Sequence, residues 1–359
     1  MTLFDYIAVA AKILFIVGLA FSTVPIMVWF ERRGAAWMQA RVGPNRVGIF
    51  GLMQPVADVL KLLSKEMFIP AAASKFYYNL APAISAIAPV AAMAAIPFGS
   101  YLIIGDHKVN LQIASLDIGI LAVLAFAGLE VYPIMLAGWA SNNKYSMLGA
   151  LRGSSQMISY EIALGLALVS MLLVYGTLDL NAMVVYQDQS LLGFIPRWGV
   201  FLNPLAALIF MISIFAETNR LPFDLPEGES ELVAGYHLEY GASKFALFFF
   251  AEYVAMLMAS GLFITIFFGG YGLIPGMGWV LSFFQSSLSP DMFQNLTAIA
   301  QIAAFVFKVG CMMFFFVWVR WTMPRFRYDQ LMHLGWKILF PIALVNLLAV
   351  ALIIAWIGV

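Results

Sequence analysis

An all-α integral membrane fold is what this sequence predicts, and three observations predict it. Hydrophobic residues fill 63% of the 359 positions and charged residues 11%, against about 45–50% and about 25% in an ordinary soluble domain. The apolar residues gather into eight segments, each near the ~20 residues that a helix needs to cross a bilayer. Lys and Arg gather on alternate connections between them, as they do in a multi-pass chain. No connection is long enough for a soluble domain, so residues 1–359 read as a single polytopic membrane domain.

The first span, Tyr6–Phe30, is too long for a signal-peptide core and has no basic leader; it runs directly into Glu31-Arg32-Arg33 and reads as a retained helix. An interfacial amphipathic helix is expected at about 50–67. There Val56, Val59, Leu60, Leu63 and Met67 share one face, Asp58, Lys61 and Lys65 the other, and Pro55 suits the first turn. The second span, Leu80–Ile104, carries Pro82, Pro89 and Pro97, which remove helix hydrogen bonds and kink the chain. The remaining spans are Ile113–Trp139, Met157–Tyr175, the short Val200–Phe215, Phe245–Phe268, Ala298–Trp321 and Leu334–Ile357. The stretch Leu273–Phe284, with Pro275 and two glycines, is too short to cross and reads as an interfacial element.

Fifteen of the 19 basic residues fall in the connections after spans one, three, five and seven, and only Lys108 and Arg197 on the opposite side. The positive-inside rule therefore turns the odd connections toward the cytoplasm or a matrix. Lys12 and Lys308 sit within spans. Net charge is zero, with 19 acidic residues, which gives no basis for nucleic-acid binding. One cysteine, Cys311, and three scattered histidines cannot build an iron–sulfur cluster site or a bis-histidine haem, so no metal or redox centre is expected on this chain.

Six acidic residues crowd between 214 and 244, namely Glu217, Asp224, Glu227, Glu229, Glu231 and Glu239, and Glu252 follows closely. Pro222 and Pro226 bar a continuous helix there, and Leu221, Phe223, Leu225, Leu232, Val233 and Tyr236 interleave with the acids. That mixture favours a segment packed against a cavity (about 216–243) over a solvated loop, since irregular backbone at a membrane edge must be buried in protein or line a wet space. Inside the spans lie Glu130, Glu161, Glu252 and Lys308, costly groups that mark function by default. Two readings stay open for them: a proton relay, in which desolvation draws carboxyl pKa values toward neutrality, or ion pairs such as Lys308 with a glutamate that lock helices together.

Four long strings carry a resemblance to a known family: ERRGAAWMQARVGPNRVGIFGLMQPVADVLKLLSKE (31–66), GWASNNKYSMLGALRGSSQMISYE (138–161), ETNRLPFDLPEGESELVAGYHLEYGASKFALFFFAEY (217–253) and PRFRYDQLMHLGWK (324–337). They resemble, in order and over nearly the whole chain, the quinone-chamber membrane subunit of respiratory complex I, the proton-pumping NADH:quinone oxidoreductase, known in bacteria as its H-type subunit. The resemblance implies a heel subunit between a peripheral and a membrane arm, in a bacterial inner membrane or the mitochondrial inner membrane. It implies a quinone such as ubiquinone as substrate, and FMN and iron–sulfur clusters in partner subunits. The implied partners are the peripheral-arm subunits of the quinone site and terminal cluster, small membrane subunits, antiporter-like subunits and lipid.

By the match of motifs, Glu31, Arg32, Arg41, Asp58, Arg220, Arg320 and Arg325 would line the quinone chamber. Glu161, Glu217, Asp224, Glu227, Glu229 and Glu231 would begin a chain of proton-coupling carboxylates, with Glu130 and Glu252 as further members. Two alternatives share the same spans: the homologous subunit of a membrane-bound hydrogenase-type complex, and a stand-alone secondary ion transporter. The GPNRVG and ETNRLPFDLPEGESE strings look closer to the respiratory enzyme, and neither a pore-filter string nor an inverted repeat is evident.

Overall fold

The computed structural model describes residues 3–105, 107–190 and 196–357. Helix α1 runs from Leu3 to Met38, α2 is the amphipathic helix Gln54–Ser64, and α3 is Lys75–Met93. A hairpin of β1 (Tyr101–Ile104) and β2 (His107–Asn110) leads to α4 (Gly119–Gly128) and α5 (Val131–Ala140). Next come α6 (Lys144–Tyr175), α7 (Leu180–Gln187), α8 (Gly199–Leu202), α9 (Pro204–Glu217) and α10 (Glu229–Leu232). Helices α11 (Ala242–Phe267), α12 (Met277–Gln285), α13 (Pro290–Thr322), α14 (Tyr328–His333) and α15 (Phe340–Ile357) complete the chain, the last two joined by a π-helical turn at Leu334–Leu339. Among the described residues seven helical stretches are long and apolar enough to cross a membrane, and the eighth expected span is the shorter α9. The protein is an all-α, multi-pass membrane protein.

The helix starts follow from local chemistry. Asn143 caps α6 by accepting from the Tyr145 amide, Asp179 caps α7 through the amides of Asn181 and Ala182, and Asn203, followed by Pro204, caps α9 through Ala206. Ser289 and Pro290 repeat the arrangement at α13. Two helices organise the packing. Helix α6 packs against α5, α9 and α15, and α11 packs against α3 and α13. In α11 78% of the apolar window is buried, against 17% in α1 and in Tyr328–Ile357, so α11 is the central post and the chain ends face outward.

Three sequence expectations are corrected, and one open reading is narrowed. The second span ends at Met93 and does not reach Ile104, because Pro97 and Gly99 interrupt the helix and the remaining apolar residues form the hairpin instead. That hairpin is held to α13 by Asn295, which accepts from the Ile103 amide and donates to its carbonyl. The third span begins at Gly119, not Ile113, and breaks at Leu129–Glu130 into α4 and α5. Among the described residues Lys308 pairs with no glutamate; its ammonium donates to the carbonyls of Phe268, Gly270 and Gly272 at 2.9, 3.0 and 2.8 Å, just beyond the end of α11. A cation there meets the negative end of the helix dipole. The fourth span is longer than Met157–Tyr175, since Ser146, Gly149, Gly153 and Gln156 are buried against neighbours and not solvated.

Candidate functional site: a buried charge network

The acidic segment is fixed on the side of α6, and small residues make the approach possible. A Cβ on Gly149 would lie 2.8 Å from the Gly235 backbone, and one on Gly153 would lie 2.8 Å from the Pro226 ring. Gly235 has φ +59°, and a Cβ there would fall 1.7 Å from the Pro226 carbonyl oxygen. Gln156, wholly buried on α6, donates from Nε2 to the carbonyls of Ala216 and Phe223, both at 2.7 Å. The irregular backbone after α9 thereby receives the hydrogen bonds that a helix would have supplied.

Three arginines and four carboxylates then meet between α1, the acidic segment, α11 and α13. Glu31 projects from α1 and is 6% exposed. One of its oxygens meets Arg320 of α13; the other accepts from the Tyr253 hydroxyl at 2.5 Å and lies 3.7 Å from Arg220 Nη1. Arg220, itself 5% exposed, lies 3.5 Å from Glu252 through Nη2 and stacks 4.3 Å over the Tyr253 ring. Burial opposes the charge of Arg220, but Tyr253, Glu31 and Glu252 raise its pKa above the ordinary value and hold it cationic. Arg325 reaches Asp224 at 2.6 Å. Glu227 lies in hydrogen-bonding contact with Glu252 and 3.8 Å from His237 Nδ1.

Counting the described side chains alone, Glu31, Asp224, Glu227 and Glu252 against Arg220, Arg320 and Arg325 leave one negative charge in excess at full ionisation unless His237 is protonated. A buried excess of that sign favours holding a proton. Asp224 shows where: burial, then the charge of Glu227, push its carboxyl up to about 7 against the pull of Arg325 and Arg320.

Beside this network lies a second group, Glu130, Glu217 and Glu161, in which Glu217 repels each of the other two. Among the described residues no Lys or Arg forms an ion pair with any of them. Gly128 makes room here: a Cβ would stand 2.9 Å from Glu161 Oε1. A cavity of about 20 Å³ is lined by Glu130, Glu217 and Asn219 together with Glu252 and Tyr236. That is room for a single ordered water, and the buried Glu130 Oε1 has no protein hydrogen bond.

Other expected site residues lie apart. Arg32, one residue after Glu31, points to the opposite side and pairs with Asp58 of α2 at 2.6 Å, largely exposed. Burial acts to raise the Asp58 carboxyl, but the hydrogen bond and charge of Arg32 hold it below the usual range. Arg41 is exposed and bonds Gln39. Glu231 pairs with Arg152 at 2.5 Å at the surface. The Glu229 side chain lies outside the described residues. Charge alone passes over Gln156 and Tyr253; a search for hydrogen-bonding side chains inside spans finds the first, and nothing marks the second among 14 tyrosines.

Residues 11–351 match the family model described as NADH dehydrogenase. The chain belongs to this family, that of the H-type membrane subunit of NADH-quinone oxidoreductase. Among its relatives, the NADH-quinone oxidoreductase subunit of this type from Bdellovibrio bacteriovorus is 43% identical, over 98% of this chain and 97% of the relative. NADH-quinone oxidoreductase subunit 8 of Rhodothermus marinus is 47% identical over 93% of each chain, and the H-type subunit of Flavobacterium psychrophilum 45% over 89% of each. Membership of this family makes the chain a membrane subunit of an oxidoreductase complex, and the charge network is the feature of the fold to be explained in those terms.

Proposed function

We propose that this chain forms the quinone chamber of NADH:quinone oxidoreductase and passes the protonation change of quinone reduction sideways through its carboxylates. The whole chain acts as one polytopic domain, with the interfacial helix at the chamber entrance and the acidic segment as its floor. It sits in a bacterial inner membrane or a mitochondrial inner membrane, docked to the peripheral-arm subunits that hold the terminal iron–sulfur cluster. FMN and the clusters belong to those partners; small membrane subunits and antiporter-like subunits receive the signal on the other side.

The carrying observation is contiguity: Glu252 of the Glu31–Arg220–Glu252–Glu227 network and Glu130 and Glu217 of the Glu130–Glu217–Glu161 group line one water-sized cavity. Reduction of a quinone to a quinol takes up two electrons and two protons. Protons drawn from the Asp224–Glu227–Glu252 cluster leave its arginines with an excess of negative charge, which shifts the shared proton of the neighbouring carboxylates. Tyr253 and Arg220 hold Glu31 and Glu252 in place while this occurs, and Gln156 keeps the segment's backbone fixed. Glu217 is the joint between the two groups. In the assembled complex in membrane vesicles, Glu217→Gln is expected to lower quinone reductase activity and proton pumping together, by about a hundredfold. Wild-type rates for both, in a complex of normal subunit composition, refute the coupling role.

A further inference from the structure

The function proposed above uses neither Lys12 nor an apolar cavity on the flank of the bundle. That cavity, about 350 Å³, lies between α1, α3, α11 and α13, within the spans, and is lined by Ile16, Leu19, Thr23, Met93, Gly261 and Gly310 among others. Its volume falls in the range of small-molecule sites. It opens outward past Phe15, Ile26 and Val306, which are 47%, 53% and 54% exposed. Gly310 has nothing within 4 Å of where a Cβ would stand, so the missing side chain leaves the space open. The Ser22 hydroxyl at its wall is already bonded to the Leu19 carbonyl, so it asks for no polar partner from the cavity. An apolar cavity of this kind does not hold water, and open to a bilayer it takes hydrocarbon.

Charge at the cavity's end decides which hydrocarbon. Lys12, Ile16, Leu19 and Thr23 follow one another at spacings of four, three and four, which places them on one face of α1. Lys12 donates to the Gln112 carbonyl at 2.9 Å, and Gln112 donates in turn to the Ala95 carbonyl beside the cavity residue Ile96. An ammonium has three donors, and one is engaged by this bond. Lys12 precedes Glu31 by nineteen residues on the same helix, a separation of about 28 Å at 1.5 Å per residue. Nearly the full ~30 Å of bilayer hydrocarbon therefore separates Lys12 from the charge network. Taking the charge network as one interface, this places Lys12, inside the helix, toward the headgroup level of the opposite leaflet.

We propose that this cleft is a phospholipid site in the leaflet opposite the acidic segment, with one acyl chain in the cavity and the phosphate against the free donors of Lys12. It rests on the membrane placement of α1 and not on the coupling reading.

The test uses the intact complex purified in mild detergent, stripped of lipid, and titrated with phosphatidylglycerol carrying a photoactivatable diazirine in mid-chain. In wild type the label is expected on peptides spanning Phe15–Met27 and Ile302–Met313. Removing one cation near the headgroup, Lys12→Gln, is expected to weaken labelling about fivefold, while Lys12→Arg keeps it. Gly310→Leu, which fills the cleft and does not disfavour the helix, is expected to abolish labelling in a complex of unchanged subunit composition. The proposal is overturned if wild type is not labelled at these peptides. It is equally overturned if a diacylglycerol probe lacking phosphate labels as strongly, if a long-tailed quinone competes the label away, or if cysteine cross-linking at Thr23 captures a partner helix in the cleft.

Discussion

Replacing Arg220 by Met tests the charge network at its centre. The Arg220 side chain is 6% exposed, Glu31 7% and Glu252 14%, and one guanidinium stands 3.7 and 3.5 Å from the two carboxylates. Met has similar length but no charge, so the variant leaves Glu252 without its cation and Glu31 with Arg320 alone. Removing one partner of a buried ion pair costs about 3–5 kcal/mol, chiefly because the other is stranded. This corresponds to a factor of about a hundred to several thousand in the population of the packed segment. A loss of that size is expected to appear as poor assembly, read as the amount of intact complex per unit membrane, and as a thermal inactivation half-life shortened by at least tenfold. The companion variant decides the cause. Arg220→Met with Glu252→Gln removes the stranded charge and is expected to recover at least half of the lost assembly, since the coupling energy of such a cycle isolates the pair. An Arg220→Met complex that assembles and resists heat like wild type refutes the network as described. Failure of the double variant to recover shows that shape or the Tyr253 stacking at 4.3 Å, and not the charge, is what Arg220 supplies.

Three further outcomes follow from particular contacts. Asp224, ordinarily near 3.8, is pushed up to about 7, so the folded chain holds its proton where the unfolded chain has lost it; its stabilising contribution is complete below about pH 4 and is lost as pH rises through 7. Asp224→Asn is expected to flatten the pH dependence of the thermal inactivation rate between about pH 5 and pH 8, and an unchanged slope contradicts the assignment. Gly235→Ala introduces a Cβ 1.7 Å from the Pro226 carbonyl at φ +59°; strain of about 1–3 kcal/mol plus the clash should displace the acidic segment and lower quinone reductase activity more than assembly. Lys308→Met deprives three carbonyls of a charged donor at a cost of about 1–3 kcal/mol, measurable as faster thermal inactivation without a change in the activity of the surviving complex.

Much of this protein is legible in one dimension because a bilayer reads composition directly. Any ~20-residue apolar run must hydrogen-bond its own backbone, so spans such as Phe245–Phe268 and Ala298–Trp321 lie close to the observed α11 and α13. The amphipathic α2 and the short helix α12 fall where the same logic places non-spanning helices. Where apolar residues served contacts other than a span, hydropathy misplaced the ends: the first hairpin strand after Met93 is as greasy as a helix, and the polar first half of α6 is buried where it looks like a loop.

The site divides along the same line. Carboxylates in or beside spans stand out because each is expensive there, so Glu130, Glu161, Glu217 and Glu252 are visible as residues. Their partners are not. Glu31 and Arg32 are neighbours in sequence yet diverge, one buried with Arg320 and Tyr253 and the other exposed with Asp58, because consecutive residues on a helix point about 100° apart. Composition and residue order establish that this chain crosses a membrane and keeps acids where they are costly. Which arginine neutralises which acid, and which carboxylates share one cavity, is settled by the packing of the helices, since those pairings join α1, α11 and α13 across separations of more than two hundred residues. Interactions of that kind depend on distance and burial in three dimensions, which a linear order of residues does not contain.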